Sequence, residues 1–446
     1  MSKESLDLTE GPVAARLLQF TLPVLAGNFF QQLYNVADSM VVGNFSGPEA
    51  LAAVSTSGTL VFLVIGFFSG LAAGAGVVIS NAFGARDTER LRRAVHTDIA
   101  FALAAGSVLT VLSALFTPRI LEAMRVPSEI MPLSKAYFRV YSLGILFSVM
   151  YNMLMGIMNA MGDSRHPLYY LLFSSAVNIA LDLVFIAWLG LGVGYAALAT
   201  IISQGLSALL SFIRLARKGD LCRVRLPEIR FYKAELGAIV RYGLPAGLQN
   251  SALAVGNILV QGHINSFGAS VMAGYGVYSK LEGFMLLPMK SLSLSLTTFV
   301  GQNLGARRHE RVMKGVRWGY ILSMGCSELV GALVFLFAPW IMSLFTDEPG
   351  IIAAGVRQCR IEGLLYFLPA FTHASAGVLR GAGKAAVPTA AIFACWCVLR
   401  NVILALWLSF VRSADVIYIT FPVTWVLSCA FLLVYMLKAD WLHAMG

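Results

Sequence analysis

Charge is scarce in this sequence. Asp, Glu, Lys and Arg make up 13% of its 446 residues, against about 25% in an ordinary soluble domain. A chain so poor in charge does not read as a water-soluble globule. Its net charge of +10 points to basic loops on one side of a membrane rather than to a nucleic-acid partner. Catalytic signatures are missing as well. There is no glycine-rich phosphate loop, no metal-ligand cluster and no nucleophile triad. An enzyme, a cofactor, a bound metal and an ATP-driven pump are therefore all unexpected, and any uphill transport has to draw on an ion gradient. The six cysteines, Cys222, Cys326, Cys359, Cys395, Cys397 and Cys429, lie mostly inside apolar runs. They read as small apolar fillers rather than a disulfide frame. The opening MSKESLDLTEGPVAARLL lacks a small-residue cleavage site after a short apolar core, so no cleaved signal peptide is expected.

What is present is hydrophobicity. The chain is 58% hydrophobic with a mean hydropathy of +0.75, in runs too long and too many for buried core helices. Twelve spans are expected, at roughly 17–42, 51–79, 94–116, 133–160, 167–189, 193–213, 236–265, 270–300, 313–338, 357–380, 387–410 and 416–437. Basic residues cluster after the even spans: Arg86, Arg90, Arg92 and Arg93; Arg165; Arg214, Arg217, Lys218, Arg223, Arg225, Arg230, Lys233 and Arg241; Arg307, Arg308, Arg311, Lys314 and Arg317; Arg380 and Lys384; Lys438. Loops after odd spans offer only Arg119, Arg125, Lys135, Arg357 and Arg412. The positive-inside rule then puts both termini and the even loops in the cytoplasm.

The sequence repeats itself at a spacing near 221. Phe20-Thr-Leu-Pro23 is echoed by Tyr242-Gly-Leu-Pro245, Asn28 by Asn250, and Asn81-Ala-Phe-Gly-Ala-Arg86 by Gln302-Asn-Leu-Gly-Ala-Arg307. Gly162 and Pro167 are echoed by Gly383 and Pro388. Each half holds six spans, an even number, so both halves enter the membrane from the same side as a parallel repeat. The expected architecture is an all-α integral membrane protein of twelve transmembrane helices in two pseudo-symmetric six-helix lobes. Residues 1–213 form the first lobe, 214–235 a basic cytoplasmic linker and 236–446 the second lobe. Such halves commonly enclose a central cavity and rock against each other.

The candidate site grows from span 5, where Asn178 and Asp182 sit four apart on one helix face. A carboxylate at membrane depth costs about 2.5–3.5 kcal/mol even on lenient scales, so it is expected to face protein or a wet cavity. Asp38 lies 21 residues after Leu17, about 32 Å along a helix. Asp182 lies about 22 Å past Pro167 on the same rule. Both fall in the outer half of the membrane. Thr200 and Gln204 in span 6, and Tyr137 with Tyr141 at the start of span 4, fall there too. Burial disfavours a carboxyl's charged form, and a second acid nearby disfavours it further. Such a pair can take a proton from outside and release it inward, or hold a cation while deprotonated. Asn178, Thr200, Gln204 and Tyr137 supply hydrogen bonds that make either state tolerable. For Thr200 and Gln204 taken singly, a plain helix-to-helix hydrogen bond is the competing reading.

The second half differs. Its span 7 has no acid between Leu244 and Ile264, while Lys280 and Glu282 sit in span 8, Glu362 in span 10 and Arg400 in span 11. Lys280 and Glu282 point to different faces, and Glu282 is placed to meet Arg400 as an ion pair or to serve transport. Pro23, Pro245, Pro288 and Pro369 are expected to kink their helices. Met150, Met153, Met155, Met158 and Met161 crowd one span and read as lipid-facing filler or as a promiscuous apolar surface. His166 is expected solvated in a loop.

With these residues in hand the chain resembles the multidrug and toxic compound extrusion (MATE) family. The resemblance rests on QQLYNVADSMVVGNFSG at 31–47, FGARDTERLRRA at 83–94, MGDSRHPLYYLLFSSAVNIALDLVFI at 161–186, VGQNLGARRHERV at 300–312 and LRGAGKAAVP at 379–388. It implies secondary efflux of small, lipophilic, often aromatic cations in exchange for H⁺ or Na⁺. Within the family an Asp of helix 1 and the Asn and Asp of helix 5 serve coupling, and a Tyr of helix 4 and a Thr and Gln of helix 6 often join them. These match Asp38, Asn178, Asp182, Tyr137, Thr200 and Gln204. The NorM-like subgroup also places acids in helices 7 and 10. Here helix 7 has none, which weighs against a second-lobe Na⁺ site. It favours protons, as in a DinF-like or MepA-like prokaryotic branch, or Na⁺ at Asp38, Asn178 and Asp182. The expected setting is a monomer in the bacterial cytoplasmic membrane, with the lipid bilayer and the transported solutes as its partners. The alternative is a flippase for a lipid-linked saccharide precursor, whose phosphate calls for a basic lining such as Lys280, Lys290 and Arg400. A channel is disfavoured, because no ring of charges or carbonyl filter signature is present.

Overall fold

At membrane depth each backbone N–H and C=O has to find its partner within its own segment, and the helix is the open-chain solution. The computed structural model, which describes residues 6–124, 126–217 and 223–442 apart from the Thr59 side chain, is helical throughout with no strand among the described residues. Arg125, Lys218 and Cys222 lie outside the described residues. In chain order the helices are α1 (Val13–Ser46), α2 (Pro48–Gly84), α3 (Thr88–Ala123), α4 (Met131–Leu143), α5 (Ile145–Ala160), α6 (Arg165–Asp182), α7 (Gly194–Arg217), α8 (Lys233–Asn265), α9 (Ala269–Met285), α10 (Leu287–Gly305), α11 (His309–Ser343), α12 (Pro349–Glu362), α13 (Phe367–Gly381), α14 (Ala386–Ile392), α15 (Arg400–Phe410) and α16 (Ala414–Lys438).

These helices join end to end into twelve rods. Among the described residues, nine rods are long and apolar enough to cross a membrane, and α4 with α5, bent by 50°, makes a tenth. The other two are α8 and the α12–α13 rod. Gln249, Asn250 and Asn257 dilute the apolar middle of α8, and the α12–α13 rod is interrupted at Gly363–Leu365. That interruption frees a backbone donor, and Glu328 of α11 takes it: Phe367 N donates to Glu328 Oε2 at 3.0 Å. Two further rods pass through a π-helical turn, Leu183–Trp188 after α6 and Phe393–Leu399 before α15.

The duplication is written into the backbone. Arg86 and Arg307, both at φ 56°, are the non-glycine residues in the left-handed region among those described. They close the two repeated Gly-Ala-Arg turns. Gly47 (φ 87°) pairs with Gly268 (φ 94°), and Gly162 (φ 83°) with Gly383 (φ 73°), each at the same spacing.

The chain forms two compact units whose borders differ from a cut at the basic linker. The first comprises residues 6–7 and Leu22–Leu244, the second Leu8–Thr21 and residues 245–442. Each unit thus takes a segment from the other half of the sequence. The borders inside α1 and α8 fall beside Pro23 and Pro245, where the missing N–H removes a helical hydrogen bond. In the first unit Gly243 lies against α2 so closely that a Cβ on Gly74 would stand 2.2 Å from the Gly243 Cα. In the second, Thr21 Oγ1 donates to Ser295 Oγ at 2.8 Å, and Arg311 bonds the carbonyls of Leu8, Glu10 and Gly11 at 3.1, 2.9 and 2.7 Å.

Two expectations need correction. Met153, Met158 and Met161 are at most 1% exposed, and Met150 is 9% exposed, so they belong to the first unit's core. Helix α5 packs against α2, α3 and α7, which leaves this methionine face neither lipid nor an open surface; flexible thioethers fill the gaps between helices. His166 is not a solvated loop residue. It sits in the first turn of α6, with Nδ1 at 2.8 Å from Asp163 Oδ1, and Arg214 NH2 lies 4.0 Å from the other oxygen of that carboxyl.

Candidate functional site

Within the first unit, α6 ends at Asp182, where the helix passes into its π-helical turn. Asp182 and Asn178 are each 0% exposed. One helical turn separates them, and Asn178 joins its neighbour to α7. With the Asn178 amide turned to satisfy both ends, Nδ2 donates to Asp182 Oδ2 at 2.9 Å and Oδ1 accepts from Thr200 N at 3.1 Å. Thr200 Oγ1 donates to Ala196 O at 3.1 Å. From α1, Asp38 brings a half-buried carboxyl into hydrogen-bond contact with Asp182. Two carboxyls can make that bond only by sharing a proton.

The tyrosines complete the wall. Tyr137 and Tyr141 of α4 are 6% and 4% exposed, with rings stacked at 6.2 Å and 10° apart in plane. Tyr137 lies within electrostatic reach of Asp38, Tyr34 and Asp182. Tyr34, one turn before Asp38 on α1, hydrogen-bonds Thr200 by its side chain. It is absent from the residues singled out in the sequence, where an aromatic in an apolar helix reads as packing; its four-residue offset from Asp38 was the available signal. Asp38 Oδ1, Asp182 Oδ1 and Gln204 Oε1 are buried with no partner among the described residues. Buried acceptors left open in this way are places for a proton or a cation. Asp38, Asn178, Asp182 and Thr200 are linked by hydrogen bonds, Tyr137 stands within electrostatic reach of both acids, and Gln204, which bonds neither acid, lies one turn further along α7.

The second unit does not repeat this pair. Arg400 is 4% exposed, donates from Nε and NH2 to Thr424 Oγ1 at 3.2 and 3.1 Å, and lies over the Phe421 ring at 4.2 Å and the Trp396 ring at 5.7 Å. The expected ion pair with Glu282 is not formed: no carboxylate lies within 4.0 Å of Arg400 among the described residues. The hydroxyl on α16 and two aromatic faces occupy the guanidinium instead. Lys280 is exposed while Glu282 is half-buried, so the two do not share a site. Glu362 is satisfied at both oxygens, by Tyr278 Oη at 2.7 Å and Gln358 Nε2 at 2.9 Å, and Tyr278 Oη meets Tyr366 Oη at 2.8 Å.

The chain has known relatives. The family model MatE matches it twice, over residues 23–184 and 245–407, once in each half of the duplication. Probable multidrug resistance protein YpnP of Bacillus subtilis is 26% identical over 422 residues, covering 92% of this chain and 94% of its own. Probable multidrug resistance protein YoeA of the same organism is 29% identical over 385 residues, covering 84% and 83%. Among solved structures, a multidrug resistance MATE family transporter of the MOP superfamily, in an outward-facing conformation, superimposes with a TM-score of 0.93 at 22% identity over 99% of each chain. With the match filling both halves of a twelve-helix membrane fold, the chain belongs to the MatE family of transporters.

Proposed function

We propose that the chain is a multidrug efflux antiporter that exports lipophilic, often aromatic cations in exchange for H⁺, with Na⁺ as the alternative ion, by alternating access in a bacterial cytoplasmic membrane. The observation that carries this reading is the contact between Asp38 and Asp182 inside the first unit. Deprotonated, the pair offers negative charge and open oxygens to a cationic cargo, beside the flat faces of Tyr137 and Tyr141. Taking up a proton removes one of the pair's two charges, which weakens its hold on the cargo and favours release. Asn178 serves both states, because its amide can donate to a carboxylate while its carbonyl holds α7 through Thr200 N. The names of YpnP and YoeA support a drug-exporting role.

Cells expressing Asp182→Asn are expected to accumulate ethidium as empty cells do, while wild-type cells exclude it. Residual efflux at the wild-type rate would remove the assignment. The flippase reading draws less support, since Arg400 already gives two of its nitrogens to Thr424 and its face to the Phe421 and Trp396 rings.

A further inference from the structure

The antiport reading makes no use of the arginine-rich stretch between α7 and α8. Within the first unit this stretch is pinned to α7 and α3. Val224 N donates to Leu215 O at 3.2 Å, Arg225 N to His96 Nε2 at 3.0 Å and Tyr232 N to Thr97 Oγ1 at 3.2 Å. Glu228 meets Arg92 at 3.4 Å and Arg225 at 3.5 Å. These anchors fix its depth. His96 and Thr97 stand where α3 leaves its polar first turns, Thr88-Glu-Arg-Leu-Arg-Arg93, and enters the apolar run that follows Asp98. The stretch therefore lies level with the start of the hydrocarbon, in the headgroup layer, not out in the cytosol.

Side chains left facing outward carry a mixed chemistry. Leu226 is 71% exposed and Phe231 51%. Arg223, Arg225, Arg230 and Lys233 are exposed around them. The acids of the stretch offset this charge only in part, because Glu228 is shared between Arg92 and Arg225 and Glu235 is 8% exposed, which leaves the excess on Arg223, Arg230 and Lys233. Large apolar side chains alternating with arginines at headgroup depth form an interfacial pattern, the apolar groups suited to acyl chains and the cations to phosphates. A second copy fits poorly, since a two-fold contact here would set arginine against arginine.

We propose that residues 223–233 form a binding site for anionic phospholipid of the cytoplasmic leaflet, with Leu226 and Phe231 seated among the acyl chains and Arg223, Arg225, Arg230 and Lys233 on the headgroup phosphates. Each basic residue is expected to strengthen lipid binding roughly fivefold. The site stands apart from the Asp38–Asp182 pair, and its test needs no transport.

The test uses the full chain in vesicles of brominated phosphatidylglycerol or brominated phosphatidylcholine. Phe231→Trp adds one fluorophore to the seven native tryptophans, whose wild-type emission is subtracted; Leu226→Trp is the second reporter. The added emission should be blue-shifted and quenched, more by phosphatidylglycerol than by phosphatidylcholine. That preference should disappear in a background of Arg223→Gln, Arg225→Gln and Arg230→Gln, and should fall as salt is raised. Unquenched emission from both reporters, equal quenching by the two lipids, or quenching relieved as more protein is packed per vesicle, as a second copy would produce, each overturns the proposal.

Discussion

Asn178 is the residue on which the site turns, because it holds Asp182 with one end and the α7 backbone with the other. A hydrogen bond to a charged partner contributes about 1.5–3 kcal/mol. Asn178→Ala should therefore slow ethidium uptake into inverted membrane vesicles by roughly tenfold to a hundredfold. Tyr34→Phe removes a neutral hydroxyl bond to Thr200 and should cost only about 0.5–1.5 kcal/mol, a few-fold in the same assay. A larger loss for Tyr34→Phe than for Asn178→Ala would reverse the roles given to these two residues. Asn178 and Asp182 were legible in the sequence because a polar pair one helical turn apart has no business in a twenty-residue apolar run unless it faces protein. Asp38 was legible for the same reason. Tyr34 was not, because an aromatic ring in an apolar helix has a packing explanation that needs no partner. The Glu282–Arg400 pairing failed because sequence shows charges but not the distance between helices, nor the competing Thr424 hydroxyl.

Among the elements, the breaks in the helices show where pattern reading stops. Pro288 and Pro369 each follow a break by a residue or a few: α10 begins at Leu287 and α13 at Phe367. Pro23 and Pro245, by contrast, lie inside continuous helices. The 50° bend between α4 and α5 has Gly144 and no proline. The two π-helical turns have no residue signature either, since they arise from one extra residue looped into a helix by its tertiary neighbours. Gly162 was legible as half of a repeated pair, and the structure supplies its physical reason. At φ 83° it is strained for any other residue, and a Cβ there would lie 2.1 Å from Leu6 O. Gly162→Ala should lower the thermal unfolding midpoint of the purified protein by several degrees, corresponding to about 1–3 kcal/mol of crowding. Arg311→Ala, which gives up bonds to three carbonyls of the segment before α1, should cost about 1–3 kcal/mol by the same measurement. An unchanged midpoint in either variant would mean that the contact contributes nothing to stability.

For the whole molecule, the duplication was legible because two pairs of left-handed residues at one spacing, Gly162 with Gly383 and Arg86 with Arg307, leave repeated Gly and Gly-Ala-Arg marks in the sequence; the third pair, Gly47 with Gly268, emerged only from the backbone. The borders of the two units were not, because hydropathy records where a helix runs and not which body each of its turns packs against. Leu8–Thr21 joining the second unit is a tertiary fact. The account as a whole rests on Asp38 and Asp182 exchanging an ion for cargo. Its most direct test is ion-jump transport in proteoliposomes holding ethidium, comparing wild type, Asp38→Asn and Asp182→Asn under a pH jump and under a sodium jump. The account predicts that the pH jump drives ethidium countertransport in the wild type and in neither variant. Undiminished pH-driven transport in Asp38→Asn and Asp182→Asn would contradict it.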